Sequence, residues 1–322
     1  MDTYSVMTMN WVDAKEVLIE LLQTAGVPPR HGTIGRIRYV GAGLSNIVFG
    51  AEVEYPAGRK QAVVVKLPSD EASDARDVNL RAEAALLGYL CRQELPFRVP
   101  RPIAEIQTAM GLAAVQEWVD GMEVDLRPLR FPGGKPWELV AQVAAAVHAI
   151  DPAPMRDRLP SYPTWQDHAL GFASALQELE EPEADDTNAW VREHLPAPVT
   201  SCLLHGDLLG QNLRRSWDGE SIAVIDWAEA RAGDPAFDLA IVTRGARKPF
   251  GTPDGLRRLL DAYNALARAP LGTRQVLLHE LILVAHFYVG AVSNYGKGSP
   301  HAEQQRRVWQ SVLRRASSVD RE

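Results

Sequence analysis

The chain has 322 residues, 46% of them hydrophobic, enough to bury a sizeable core as one large domain or two moderate ones. Its formal net charge of −7 lacks the basic surplus a dedicated nucleic-acid binder needs to neutralise phosphates, and is compatible with a cationic substrate. Two distant cysteines, Cys91 and Cys202, make neither a disulfide framework nor a zinc-ligand spacing, so a reducing cytoplasm is the expected compartment.

Met1 to Trp11 lacks a basic segment followed by an apolar run, so no secretory signal is expected there. Val17, Leu18, Leu21 and Leu22 form a helical stripe over Ala14 to Leu22, which Gly26-Val27-Pro28-Pro29 ends. After Thr33 the pattern turns to β-rich runs at Ile34 to Val40, Asn46 to Tyr55 and Gln61 to Leu67, with Pro56-Ala57-Gly58 between the last two. These read as an antiparallel meander. Helical spacing returns over Asp74 to Arg92, followed by strands near Ile103 to Gln107 and Ala113 to Val119.

Gly121 to Pro136 is rich in proline and glycine and has no period, which places a boundary near residue 120. Residues 1–120 are then a β-rich N-terminal lobe (leading helix, antiparallel sheet, one helix) and 121–322 a mainly helical C-terminal lobe. In the second lobe helical patterns recur at Trp137 to Ile150, Trp165 to Leu179, Leu256 to Leu266, Gln275 to Val292 and Glu303 to Arg315. Short strands interrupt them at Cys202 to His205 and Ile222 to Asp226, and the acidic stretch Glu178 to Asp186 reads as a solvated loop or helix end. Val276 to Val292 is the most apolar stretch; His279, Glu280 and His286 mark it as a buried helix, so no membrane partner is expected.

The most informative segment is His205-Gly206-Asp207-Leu208-Leu209-Gly210-Gln211-Asn212, followed by an apolar run ending in Ile225-Asp226-Trp227. Phosphoryl transfer needs an in-line hydroxyl, an acceptor for its proton, and divalent metal to neutralise phosphate charge. An aspartate and an asparagine five positions apart can face one point from a single loop, and an aspartate ending the next strand can reach it from beside. Such hard oxygen donors suit Mg2+. Taken singly, Asp207 and Asn212 read equally well as turn formers and Asp226 as a strand end; the joint pattern carries the reading.

A nucleotide also has to be held. Gly41-Ala42-Gly43-Leu44-Ser45-Asn46 lies between two expected strands, where Ser45, Asn46 and backbone amides can approach phosphate oxygens, although a plain hairpin turn reads as well. Lys66 ends the apolar run Val63-Val64-Val65, where a buried ammonium needs an anionic partner; Glu83 on the next helix can supply it. Past the second motif, Glu229 and Asp234 are candidates for binding a cationic acceptor, with loop charge and helix capping as the plainer alternatives.

From about residue 34 to residue 243 these motifs resemble the aminoglycoside phosphotransferase family, whose relatives include macrolide phosphotransferases and choline kinases. Gly233-Asp234-Pro235-Ala236-Phe237-Asp238-Leu239-Ala240 adds to the resemblance, and Ile225 to Ala230 with Leu95-Pro96-Phe97 is similar to macrolide- and hygromycin-type members. The resemblance implies an α+β, bilobal protein-kinase-like fold and an O-phosphotransferase using ATP or GTP with Mg2+. It implies Asp207 as catalytic base, Asn212 and Asp226 as metal ligands, and Lys66 paired to Glu83 on the nucleotide phosphates. Gln116, Glu117, Trp118 and Val119 would form the hinge that meets the base, while His205 and Asp238 would brace the catalytic loop. The histidine of Val147-His148-Ala149-Ile150 would be packed. The acceptor is expected to be a small hydroxyl compound such as an aminoglycoside-type antibiotic. The alternatives are a macrolide, a choline-like metabolite, or a non-catalytic binding module.

Overall fold

The computed structural model describes residues 11–27, 32–42, 46–56, 58–68, 74–108, 111–174, 176, 180–246 and 248–319. The fold is α+β, with the sheet in the N-terminal part and helices in the C-terminal part. Its Cα atoms divide into two compact units, Met1–Met122 with Arg214–Ala228, and Glu123–Leu213 with Glu229–Glu322. The hairpin that follows the His-Gly-Asp motif thus belongs to the first unit.

The first unit opens with helix α1 (Trp11–Thr24), then strands β1 (Thr33–Ala42), β2 (Asn46–Glu54) and β3 (Lys60–Pro68). Helix α2 (Asp74–Leu90) follows, then strands β4 (Pro102–Thr108) and β5 (Gly111–Glu117). The sheet order is β1-β2-β3-β5-β4 with every pair antiparallel, so the meander expected for the first three strands is present and β5 inserts beside β3. Strand alternation explains the layers. Ile47, Phe49, Ala51 and Val53 of β2 and Val63, Val65 and Leu67 of β3 face Leu18, Leu21 and Leu22 of α1 in one core. On the opposite face Leu112 and Ala114 of β5 pack against Leu80 of α2. Strand β5 ends two residues earlier than expected because the chain leaves β4 there: the Glu117 N–H turns to the Arg101 carbonyl and the Trp118 N–H to the Ala62 carbonyl.

Strand β6 (Met122–Glu123) marks the end of the first stretch. The second unit contains α3 (Pro136–His148), α4 (Trp165–Ser174), α5 (Pro182–Glu193) and β7 (Cys202–Leu204). The neighbouring strands β8 (Leu213–Arg215) and β9 (Ile222–Val224) carry the chain through the first unit, and β10 (Arg231–Gly233) returns to pair antiparallel with β7. Helices α6 (Ala236–Thr243), α7 (Gly255–Asn264), α8 (Thr273–Tyr295) and α9 (Pro300–Val319) complete it.

Helix α8 is long and apolar enough to cross a membrane by length and composition, yet 67% of its apolar window is buried inside the protein. Its charged residue Glu280 is fully buried and accepts hydrogen bonds from Thr243 and Arg315, which accounts for a carboxylate in an apolar helix. Helix α5 differs from expectation: the stretch Glu178 to Asp186, read as loop or helix end, contains its start at Pro182. Ala184, Thr187, Trp190 and Val191 supply a buried stripe beneath an acidic outer face. Residues 178 and 179 of that stretch lie outside the described residues.

Candidate functional site

In the first unit, β3 delivers Lys66 to the end of an apolar run, and its side chain is only 6% exposed. Its ammonium donates to both oxygens of Glu83 on α2, at 2.7 and 2.9 Å, and to Oδ1 of Asp226 at 2.8 Å. Burial works against the charge of Lys66, but the carboxylates of Glu83 and Asp226 outweigh it and hold its pKa above the ordinary lysine value. Glu83 Oε1 also accepts the Trp227 N–H at 3.2 Å, tying α2 to the segment after β9. Trp227 is anchored in turn by its indole N–H on the Val224 carbonyl and is 1% exposed. Between the buried Glu83 and Trp227, Asp226 takes φ = +62°, a conformation an aspartate tolerates better than most residues and one that turns a half-exposed carboxylate towards Lys66.

The same unit holds the expected nucleotide residues. Asn46 begins β2 with its buried Oδ1 unpartnered among the described residues; Ser45 lies outside them. Gln116 is buried, and Glu117 forms an ion pair with Arg98 at 3.1 Å. Trp118 carries the Arg38 guanidinium 4.2 Å from its ring centre and donates its indole N–H to Asp120, while Val119 is half-buried.

In the second unit β7 leads into the His205–Asn212 loop, which Asp238 of α6 organises. Asp238 is wholly buried; its Oδ2 accepts the His205 N–H and its Oδ1 the Gly206 N–H, both at 2.8 Å. Burial opposes the Asp238 charge, but the His148 hydrogen bond and the His148 and His205 contacts outweigh it, so its pKa falls below the usual carboxylate value. His205 Nδ1 accepts the Asp207 N–H at 3.2 Å, and Gly206 turns the chain with φ = +83°. Asn212, at the end of a single 3-10 turn, donates its amide to the Asp207 carbonyl at 2.8 Å and to Oδ2 of Asp207 at 2.9 Å. The loop therefore brings Asp207 and Asn212 together and orients the carboxylate through one of its oxygens.

Glu229 and Asp234 part company. Glu229 is 54% exposed and paired to Arg231 at 2.9 Å, so it can meet solvent and solutes. Asp234 is wholly buried: Oδ1 accepts from the Ala236 N–H and Gln275, and Oδ2 from Gln275 and His279. This corrects the acceptor-binding expectation for Asp234. It caps the start of α6 and fastens α8, with no surface to offer a solute, as the capping alternative allowed.

Three residues were not singled out as site residues. Arg244, just past α6, lies 4.8 Å from the Phe287 ring centre; burial lowers its pKa below the ordinary arginine value, opposed by the negative charge of Asp207. His148, expected only as a packed residue, contacts Asp238, and Tyr263 contacts His148. Neither arginine position nor tyrosine period marks such contacts in a linear chain.

Among the described residues no group of three or more His, Cys, Asp or Glu side chains could hold a metal alone. The donor chemistry nevertheless fits Mg2+, which typically takes one or two protein oxygens and completes its shell with water and phosphates. The amide nitrogen of the buried Asn212 is spent on Asp207, which leaves its side-chain carbonyl oxygen as the donor it could offer, and Asp226 offers a half-exposed carboxylate.

A family model described as "Phosphotransferase enzyme family" matches residues 37–276. A viomycin phosphotransferase from Streptomyces vinaceus is 30% identical over 227 residues, covering 65% of this chain and 73% of that relative. The solved GDP and kanamycin complex of APH(2")-IIIa superposes with a TM-score of 0.68 at 14% identity, over 93% of this chain and 99% of the other. A macrolide 2'-phosphotransferase type I gives a TM-score of 0.66 at 20% identity, over 92% of this chain and 96% of the other. At those identities the two structures speak for the fold, which is kinase-like.

Proposed function

This chain belongs to the phosphotransferase enzyme family, and we propose that it transfers the terminal phosphoryl group of ATP or GTP to a hydroxyl of an antibiotic of the viomycin or aminoglycoside kind. Small-molecule O-phosphotransfer is the activity; the donor, the acceptor and the residue roles are the proposal. The observation that carries it is the Lys66 ammonium bound to Glu83 and Asp226. Lys66 and Glu83 are buried together, and the half-exposed carboxylate of Asp226 beside them is a hard oxygen donor of the kind a divalent cation accompanying the donor's phosphates would take.

On this reading Lys66, kept in place by Glu83, contacts the donor's phosphates. Ser45 and Asn46 border the phosphate loop, and Gln116 to Val119 meet the base. The N–H groups of Glu117 and Trp118 already donate to the Arg101 and Ala62 carbonyls, so Val119 supplies the base-facing N–H. Asp226 in the first unit and Asn212 in the second are each proposed as Mg2+ ligands, and the ion, when bound, supplies charge neutralisation on the phosphates. Asp207 accepts the proton of the acceptor hydroxyl as its oxygen bonds to the terminal phosphorus and the bond to the diphosphate leaving group breaks. Asn212 aligns Asp207, while His205 and Asp238 hold the loop. Glu229 gives a cationic acceptor an exposed carboxylate. Nucleotide binding falls to residues 1–120 together with the Arg214–Ala228 hairpin, which the expected 121–322 lobe would include, and acceptor binding to the other unit, in a cytoplasmic enzyme with free Cys91 and Cys202.

A coupled assay of nucleoside diphosphate release tests the reading, run with ATP and GTP over viomycin, aminoglycosides, macrolides and choline, with and without Mg2+. Magnesium-dependent release with viomycin or an aminoglycoside is expected. Turnover of a macrolide or choline alone would overturn the acceptor class, and no release with any of them would overturn the reading as a whole.

A further inference from the structure

If Asp238 positions the loop that carries Asp207, whatever fixes Asp238 also sets the geometry of transfer, and a side chain distant in sequence does so. We propose that Tyr263 is a positioning residue for this reaction: its phenolic hydrogen goes to His148, which selects the imidazole tautomer that holds Asp238 and, through it, the loop carrying Asp207. The inference rests on the proposed role of Asp207.

The chain of contacts is continuous within the second unit. Tyr263 Oη lies 2.8 Å from His148 Nδ1, and His148 Nε2 lies 3.2 Å from Asp238 Oδ2. That same Oδ2 takes the His205 N–H, while Oδ1 takes the Gly206 N–H. Tyr263 is 2% exposed, the His148 side chain 5% and Asp238 fully buried, so water cannot readily replace a partner. A neutral imidazole has one donor nitrogen and one acceptor nitrogen. An ionised Asp238 only accepts, so Nε2 donates to it, and Nδ1 of a neutral ring then accepts from Tyr263; an imidazolium would donate there instead and would show Nδ1 protonated.

Tyr263 suits that task. Burial pushes its phenol pKa up, and the charge of Asp238 acts in the same direction, so it remains a donor. Its ring meets the imidazole edge-on at 5.5 Å between centres. The next residue, Asn264, exchanges two hydrogen bonds with Leu271, at 2.9 and 2.8 Å, which pins the end of α7 carrying Tyr263. A hydroxyl that merely filled space would need neither the aligned imidazole nor the clamp.

The test combines a tautomer measurement with kinetics on the full chain. In nitrogen-15 histidine-labelled wild-type protein, NMR is expected to show His148 protonated at Nε2 and unprotonated at Nδ1. Tyr263→Phe should lose that single-tautomer signature and lower kcat with the best acceptor of the panel roughly tenfold, the worth of about one hydrogen bond. The KM for nucleotide should stay within about twofold. His148→Gln keeps an amide donor towards Asp238 without a tautomer to select, so adding Tyr263→Phe to it should cost no further kcat. The proposal is overturned by an Nδ1-protonated His148 in the wild type, by wild-type kcat and tautomer in Tyr263→Phe, or by additive losses in the double variant. A purely structural tyrosine would lower Tm and leave the tautomer and kcat unmoved. The wild-type spectrum needs neither an acceptor nor a variant that folds, so its failure is distinct from failure of the acceptor panel.

Discussion

A Cβ on Gly206 would lie 1.9 Å from the Glu229 carbonyl oxygen, on a backbone already at φ = +83°. Gly206→Ala is therefore expected to destabilise the protein by about 2–3 kcal/mol, the combined cost of a left-handed alanine and a displaced neighbouring strand segment. Urea denaturation reads this directly, and a loss under about 0.5 kcal/mol would mean the loop has another course. At the next residue the expectation is catalytic. Asp207→Asn should lower kcat by roughly 10²–10⁴-fold while nucleotide affinity stays within about twofold, because the carboxylate acts on the acceptor's proton. Single-turnover kinetics beside a nucleotide titration separate the two. Much of this was legible in the sequence. Glu83 as a partner of Lys66 follows from the cost of burying an ammonium after three valines, whereas Asp226, 160 positions away, was not legible as its second partner. Asp234 was not legible as a buried group, since spacing gives the same reading for a carboxylate facing solvent and one facing Gln275 and His279. His148 and Tyr263 lie 115 positions apart, beyond any local pattern.

For the elements, what could be read depended on how much apolar area each helix turns inward. Helices α3, α7, α8 and α9 carry a sustained stripe and emerge where the period placed them, with ends moved by a few residues. Helix α5 hides its stripe behind Glu183, Asp185 and Asp186, and its burial depends on α9, far along the chain. There the indole N–H of Trp309 meets the hydroxyl of Thr187 at 3.0 Å, and Arg306 pairs with Glu181 and Glu183 at 3.2 and 3.1 Å. Trp309 has no exposed surface and sits in the main core of the second unit. Trp309→Ala should therefore cost about 3–5 kcal/mol, the usual loss for an emptied aromatic site. Hydrogen exchange should show α5 losing protection before α3 does. Equal loss in both helices would mean that α5 is held by the core as a whole and not by its seam with α9.

For the whole molecule, composition indicated a folded, acidic chain but not how its stability depends on pH, which comes from groups whose burial only the fold reveals. His168 is fully buried among Tyr162, Phe172, Phe237 and His279. Burial, then the charges of His279 and Arg231, push its pKa well below the ordinary histidine value. In the unfolded chain it takes a proton below about pH 6.5. The unfolded state then binds more protons than the folded one, so the contribution of His168 is complete above that pH and is lost as pH falls. Asp238 and Glu181, also held low, add a second loss below about pH 4, where their unfolded counterparts protonate. Lys66 has the opposite sign: its pKa is raised, so its contribution is complete below about pH 10.4 and declines as pH rises further. Cys202 acts sooner: burial pushes its thiol pKa well above the ordinary value, so its contribution is complete below about pH 8.5 and declines above it. Stability should accordingly reach a plateau from about pH 7 to about pH 8.5, with a shallow acid slope that steepens near pH 4. Urea midpoints taken across that range measure the profile. His168→Asn should flatten the slope between about pH 6.5 and 5 relative to the parent; an unchanged slope would show that other groups carry it.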